Sequence, residues 1–455
     1  MKYLSTRNNK LDEKFIDVVF NGLAKDGGLY LPKSWPVIDL KSLYNKSYED
    51  VAFNIIDPFV NDEIPKEDLK KIIEKSYIDF THEKKAPLVK LDNNKYILEL
   101  FYGPTLAFKD YAMQFLGNLF SYMMLNNNKK ITILGATSGD TGAAAINAFK
   151  SKKNINVFIL HPHNKISEFQ RRQMTTVDDK NIFNIAVEGT FDDCQKITKE
   201  LFLSSELQKK ISPTSINSIN WARLIAQTVY FFWAYLQTDS SKVNFIVPSG
   251  NFGNIYSAHI AEHMGLPIEK LFIATNENDV LHKLISLGEI KIEKVKETYS
   301  PSMDIQLPSN FERQIFETYD YDSNQVKKIM DYLLKNKFYK FDENIRNAFK
   351  DIYSSSSLSN DLTLKTIKKF NDEFNYLPDP HTATGLAKMI ESNFSHPVIS
   401  LACAHPAKFG EVIKKSIGKK INLPESYKNI FEKNENLNIM PNNFKKVENF
   451  ILSKI

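Results

Sequence analysis

From about Lys95 onward, short apolar runs rich in β-branched residues alternate with stretches whose apolar positions recur at helical spacing. The runs predict strands at Tyr96 to Phe101, Lys130 to Ala136, Asn156 to Leu160, Ile182 to Glu188, Val243 to Pro248, Leu271 to Thr275 and Pro397 to Ala402. Helical periodicity fills the intervals, at Leu106 to Met124, Thr141 to Lys152, Ile166 to Thr175, Phe191 to Phe202, Trp221 to Leu236, Ile255 to Gly265 and Pro406 to Ile417. This alternation predicts an α/β fold of mostly parallel sheets flanked by helices. Residues before Lys95 carry helical patterns of their own and a turn at Asp26-Gly27-Gly28, so they read as a separate lobe. The serine-rich stretch 354–361 reads as a flexible surface connection, and the Asn/Lys-rich stretch 126–130 as loop composition. The expected organisation is an amino-terminal lobe over 1–94, a two-lobed region with a cleft over 95–420, and a carboxy-terminal extension over 421–455.

Composition narrows the class. A hydrophobic content of 42% suits a folded chain, and no apolar run approaches the roughly 20 residues that span a bilayer. The net charge is only +5, and lysines alternate with glutamates, as in Lys291-Ile292-Glu293-Lys294, so there is no basic stripe for nucleic acid. A mildly positive chain suits an anionic small substrate. Two distant cysteines, Cys194 and Cys403, argue against a disulfide framework, and the first residues lack a signal or transit pattern. A cytoplasmic location follows as the expectation.

The candidate chemistry centres on Phe101-Tyr102-Gly103-Pro104-Thr105-Leu106-Ala107-Phe108-Lys109-Asp110, which sets one lysine among apolar neighbours at a turn into a helix. A desolvated amine loses its proton more readily and captures carbonyl compounds as Schiff bases, which makes Lys109 a candidate covalent anchor. Two glycine-rich loops sit at the carboxyl ends of predicted strands. In Gly135-Ala136-Thr137-Ser138-Gly139-Asp140-Thr141-Gly142, the hydroxyls of Thr137, Ser138 and Thr141 beside free helix amides suit a carboxylate. In Pro248-Ser249-Gly250-Asn251-Phe252-Gly253-Asn254, converging backbone amides suit a phosphate. Neither loop matches a dinucleotide or triphosphate motif, so a smaller phosphorylated cofactor fits better. A third anion cradle opens the helix after Asn217-Ser218-Ile219-Asn220, with Arg223 for bidentate contact; Asn220 or Ser218 as a plain helix cap is the alternative. His161 and His163 lack partners at metal-ligand spacing and read as loop histidines, so no metal is expected.

These blocks, together with Asp26 to Pro32, Gly189-Thr190-Phe191-Asp192-Asp193-Cys194-Gln195, Ser302-Met303-Asp304-Ile305-Gln306-Leu307-Pro308-Ser309-Asn310 and Ala404-His405-Pro406-Ala407-Lys408-Phe409, occur in the order found in one family. The chain resembles the threonine synthases, pyridoxal 5'-phosphate enzymes of fold type II. The resemblance implies a carbon–oxygen lyase acting on phosphates, which converts O-phospho-L-homoserine and water to L-threonine and phosphate in the last step of threonine biosynthesis. It implies that Lys109 anchors the cofactor and moves protons, and that Gly250, Asn251, Phe252, Gly253 and Asn254 hold the cofactor phosphate. It assigns Thr137, Ser138 and Thr141 to the substrate carboxylate, and Asn217, Ser218 and Arg223 to the substrate phosphate. Asp140 falls where a polar group meets the cofactor's phenolic oxygen, and a carboxylate there is expected to share a proton. Cys403 replaces a hydroxyl residue that meets the pyridine nitrogen, and Asn254 stands where relatives often carry aspartate. The same blocks are compatible with a phospholyase that releases a 2-oxo acid, and with a monomer or a homodimer.

Overall fold

All seven strands predicted from apolar runs are interior strands of two sheets. The computed structural model describes residues 1–127, 130–211 and 213–455, so the stretch 126–130 lies partly outside the described residues. One sheet has six strands, in the order Tyr353–Ser357, Ile268–Thr275, Val243–Pro248, Val398–Ala402, Lys95–Glu99 and Leu88–Lys90; only the last pairing is antiparallel. The other has five parallel strands, in the order Asn438–Pro441, Ile182–Glu188, Ile155–Pro162, Ile131–Ala136 and Pro213–Thr214. Strands covered by helices on both faces must be apolar throughout, so their runs stand out in the sequence. The stretches 1–94 and 421–455 each add an edge strand to these sheets, Leu88–Lys90 and Asn438–Pro441.

The serine-rich stretch is not a flexible connection. Tyr353–Ser357 pairs in register with Leu271 to Thr275, and Ser359 caps the helix Asn360–Phe374 by accepting from the Leu362 amide. His161, expected in a loop, is fully buried inside the strand Ile155–Pro162.

The helix Trp221–Leu236 is buried along most of its length and joins the lobes. Trp221 takes the edges of Tyr3 at 6.0 Å and Phe59 at 5.7 Å, which docks the amino-terminal segment onto it. A three-stranded antiparallel sheet, Asn8–Glu13, Tyr3–Ser5 and Tyr30–Pro32, is fixed to the helix Phe311–Thr318 by Arg7, whose guanidinium donates twice to Glu312 at 2.9 and 2.8 Å. The turn at Gly28 needs glycine because a Cβ there would lie 2.2 Å from Ser5 Oγ. Among the described residues, no helix is long and apolar enough to cross a membrane.

Candidate active site

Lys109 opens the helix Lys109–Asn127, later than its periodicity suggests, because the preceding chain is folded back. Leu106 adopts φ 62°, and Asp110 accepts from the Thr105 amide at 2.8 Å and the Thr105 hydroxyl at 2.6 Å. Gly103 permits this closure, since a Cβ would lie 2.5 Å from Asp110 Cβ. The result is an 8% exposed lysine with an aromatic ring, Phe108, 5.0 Å from its Nζ. Burial lowers the amine's pKa, the nearby Asp140 carboxylate partly opposes this, and the Lys408 charge lowers it further.

Asp140 is the hub of the site. It begins the helix Asp140–Phe149 and is 3% exposed. Its Oδ2 faces Lys109 Nζ at 3.3 Å and the Ser302 hydroxyl at 3.0 Å; its Oδ1 accepts from Gln170 Nε2 at 2.8 Å and faces Lys408 Nζ at 3.0 Å. Burial alone would raise its pKa, yet the charges of Lys408 and Lys109 hold it well below the usual carboxylate range. Among the protein's own groups, three hydrogen-bond donors and the Lys408 charge favour the ionised form of Asp140; the expected shared proton concerns the cofactor's phenolic oxygen. Lys408, Gln170 and Ser302 received no role from sequence. Lys408 is fully buried, and its sole sequence signal is its place in Ala404-His405-Pro406-Ala407-Lys408-Phe409.

Ser302 is itself positioned: its backbone amide donates to His381 Nε2 at 3.2 Å, and His381 Nδ1 lies 2.8 Å from Asp379 Oδ1. Asp379 also caps the helix Pro380–Glu391 and accepts from Thr382, whose hydroxyl oxygen in turn receives the Cys403 amide at 2.9 Å. Cys403 is 4% exposed, and burial followed by Asp379 pushes its thiol well above the ordinary range. It therefore stays a neutral, weak donor.

The loop Ser249–Phe252 follows the strand Val243–Pro248 and enters the helix Gly253–His263 through Phe252 at φ 62°. The Phe252 ring is buried against Phe311 and Tyr353, so this residue can offer an anion only its backbone. No side chain caps this helix, and among the described residues no acceptor is paired with the amides of Gly250 to Asn254. Asn254 is buried, accepts from the Tyr230 hydroxyl, and leaves its Nδ2 without a partner. Gly250 lies against the segment that carries Ser302; a Cβ there would be 2.8 Å from Met303 Cα. The Gly250 loop and Lys109, which donates to the Ser302 hydroxyl at 3.2 Å, thus both border the Ser302–Met303 segment. Asn251 braces the loop from behind, accepting from the Ser309 amide at 2.6 Å and donating to Ser218.

In the other loop, the Thr137 hydroxyl oxygen accepts from the amides of Gly139 at 3.0 Å and Gly142 at 2.8 Å, which leaves its proton to donate. Ser138 and Thr141 are half-buried beside it. The third cradle is only partly assembled as expected. Asn220 caps its helix, Asn217 is exposed, and Ser218 turns toward Asn251. Arg223 is 3% exposed and donates to Ile216 O at 2.8 Å, but no carboxylate pairs with it among the described residues and its Nε has no partner. Burial lowers its guanidinium to about 10, so it remains charged at neutral pH.

A dry amine, an uncapped helix start whose amides lack acceptors, and an unpaired Asn254 donor fit a phosphorylated aldehyde. The fold and site define a pyridoxal-phosphate-dependent enzyme of fold type II. Residues 2–77 match the family described as Threonine synthase N terminus, residues 80–339 Pyridoxal-phosphate dependent enzyme, and residues 382–451 Threonine synthase, C-terminal. The chain is 40% identical to the threonine synthase of Pseudomonas aeruginosa, over 99% of this chain and 98% of that one. It is 42% identical to that of Saccharomyces cerevisiae, over 91% and 89%. The crystal structure of pyridoxal-phosphate-bound threonine synthase from Brucella melitensis superposes with a TM-score of 0.96 at 40% identity, covering 100% of this chain and 99% of that one. The chain belongs to the threonine synthase family, and its cofactor is pyridoxal 5'-phosphate.

Proposed function

We propose that O-phospho-L-homoserine is the substrate of this threonine-forming site and that Lys109 both anchors the cofactor and moves the protons. The carrying observation is the pair of lysines around Asp140. Lys408 Nζ donates to Thr105 O at 2.7 Å and Gln173 Oε1 at 2.8 Å and is ion-paired with Asp140 at 3.0 Å, so it is held from three sides. Lys109 Nζ has two looser contacts, at 3.2 and 3.3 Å. Lys408 is the fixed charge and Lys109 the free amine.

Pyridoxal 5'-phosphate, when bound, supplies an aldehyde for the amine and a conjugated ring that delocalises carbanion charge. The amides of Gly250 to Asn254, with Asn254 Nδ2, would hold its phosphate, Asp140 would face its polar edge, and Cys403 would offer the ring a weak donor. Thr137, Ser138 and Thr141 would take the substrate carboxylate at the start of the helix Asp140–Phe149, where Thr137 already holds the Gly142 amide. Lys109 would remove the proton at Cα and then one at Cβ, and would return a proton to Cγ after the phosphate has left it toward Arg223 and Ser218. Water then adds across Cβ and Cα, its hydroxyl to Cβ and a proton to Cα, and the remaining proton leaves with the phosphate. The sites lie within the catalytic region 95–420.

Two buried, unpaired cysteines fit a reducing compartment, which supports a cytoplasmic enzyme acting on a small molecule, without nucleic-acid or membrane partners. Incubating the purified enzyme with O-phospho-L-homoserine should yield L-threonine and phosphate in equal amounts. Release of 2-oxobutyrate without threonine would make it a phospholyase instead.

Lys408→Met removes the larger of the two charges that hold Asp140 ionised. With burial then unopposed by it, the Asp140 pKa rises. The acidic limb of the pH–rate profile should move to higher pH, and the visible absorption of bound cofactor should become pH-dependent over the same interval. An activity loss with an unshifted profile would reduce Lys408 to a packing residue.

A further inference from the structure

The helix Gly253–His263 starts at the phosphate cradle and ends, about 15 Å away, in a second cluster of chemically capable side chains. His259 and His263 stand four residues apart, on one face of the helix. Glu317, from the end of the helix Phe311–Thr318, points between them. Its Oε2 lies 3.4 Å from His259 Nε2 and its Oε1 lies 3.2 Å from His263 Nε2. These separations are short, yet neither Glu317 oxygen nor His263 Nε2 makes a hydrogen bond of acceptable geometry. The Glu317 side chain is only 8% exposed, and what compensates its burial is the charge of His259 beside it rather than hydrogen bonds of good geometry.

We propose that His259, His263 and Glu317 bind one divalent transition ion of the zinc type. Tetrahedral coordination with ligand bonds of about 2.0 to 2.1 Å places ligand atoms about 3.3 Å apart; each imidazole is already near that distance from one Glu317 oxygen, His259 from Oε2 and His263 from Oε1, so the carboxylate would bind through both oxygens or turn to present one. The three ligand atoms all lie within 4.8 Å of one another, so the two imidazoles need only close slightly. His263, with a side chain 29% exposed, can turn to do this and leaves the ion a path from solvent. The surroundings match a built site. His259 Nδ1 lies 2.9 Å from Glu262 Oε2, the carboxylate–histidine arrangement that fixes the tautomer and leaves Nε2 for the metal. Trp35 stacks on the His263 ring at 4.6 Å and 4°. Two nitrogens and a carboxylate suit zinc better than calcium or magnesium, which take oxygen ligands.

The ion would be a structural tie. It joins the far ends of two helices whose starts build the phosphate cradle, since Asn310, just before Phe311, donates to Asn251 O at 3.1 Å. The untagged, cofactor-loaded enzyme is stripped with a chelator, incubated with Zn2+, desalted and analysed for metal. About one zinc per chain is expected, with a rise in the thermal midpoint on zinc addition, and background metal in Glu317→Gln and His263→Gln. Glu262→Gln keeps all three ligands and should weaken zinc binding by about 10-fold to 100-fold. Threonine formation should be unchanged in His263→Gln. Wild-type enzyme that retains no zinc, or retains no more than Glu317→Gln, overturns the proposal, and the wild-type measurement stands even if a variant fails to fold.

Discussion

Replacing Lys109 with alanine is expected to lower threonine formation by roughly 10^4-fold or more and to leave the purified protein without the visible absorption of bound cofactor. Both losses follow from one amine. A proton-transfer group and a covalent anchor disappear together, and the neighbouring amine cannot replace them. Lys408 is close enough to Asp140, but it is held by hydrogen bonds to Thr105 and Gln173 and sits on the opposite carboxylate oxygen. Stability should hardly fall, because Lys109 is a desolvated cation whose burial is compensated only by contacts of 3.2 and 3.3 Å. Absorption spectra and phosphate release, read beside a thermal melt, make the check. A coloured or active Lys109→Ala enzyme would remove the residue from its proposed role.

Arg223→Ala is expected to lower kcat/KM for O-phospho-L-homoserine by roughly 30-fold to 1000-fold, the equivalent of about 2 to 4 kcal/mol of charge-assisted bonding to a phosphate. A buried guanidinium without a carboxylate is poorly accounted for as a stabilising group. Losing its bond to Ile216 O costs about 1 kcal/mol, while removing a charge that burial penalises offsets that loss. Activity should therefore collapse while the melting temperature stays nearly constant. Steady-state kinetics with the phosphorylated substrate decide it, and an unchanged kcat/KM would exclude contact with the departing phosphate.

The sequence is most legible where burial is symmetrical. Ile182–Glu188 and Val243–Pro248 begin and end where their apolar runs do, because both faces are covered and the one asparagine inside each, Asn184 and Asn244, is itself buried. The edge strands Leu88–Lys90, Pro213–Thr214, Tyr353–Ser357 and Asn438–Pro441 escape notice, since an edge is short and partly solvated. The glycine loops fall at strand ends as their composition suggests. Side-chain function is harder to read. Lys109 is marked by its own apolar neighbours, whereas Lys408 is made dry by Thr105 and Gln173, hundreds of residues away in the chain. Phe252 shows the converse: its place in the loop is evident, but only the fold reveals that its ring belongs to the core.

The serine-built strand Tyr353–Ser357 closes one side of the six-stranded sheet. An outermost strand carries a row of unpaired backbone groups that invites a neighbouring chain to add on. Here the side chains flanking that row are small and hydroxylated from Ser354 to Ser357, and they give an incoming strand no apolar surface to bury. Water competes well for such a border. The segment that looks least structured in the sequence thus gives the sheet a hydroxylated border that offers an added strand little to pack against.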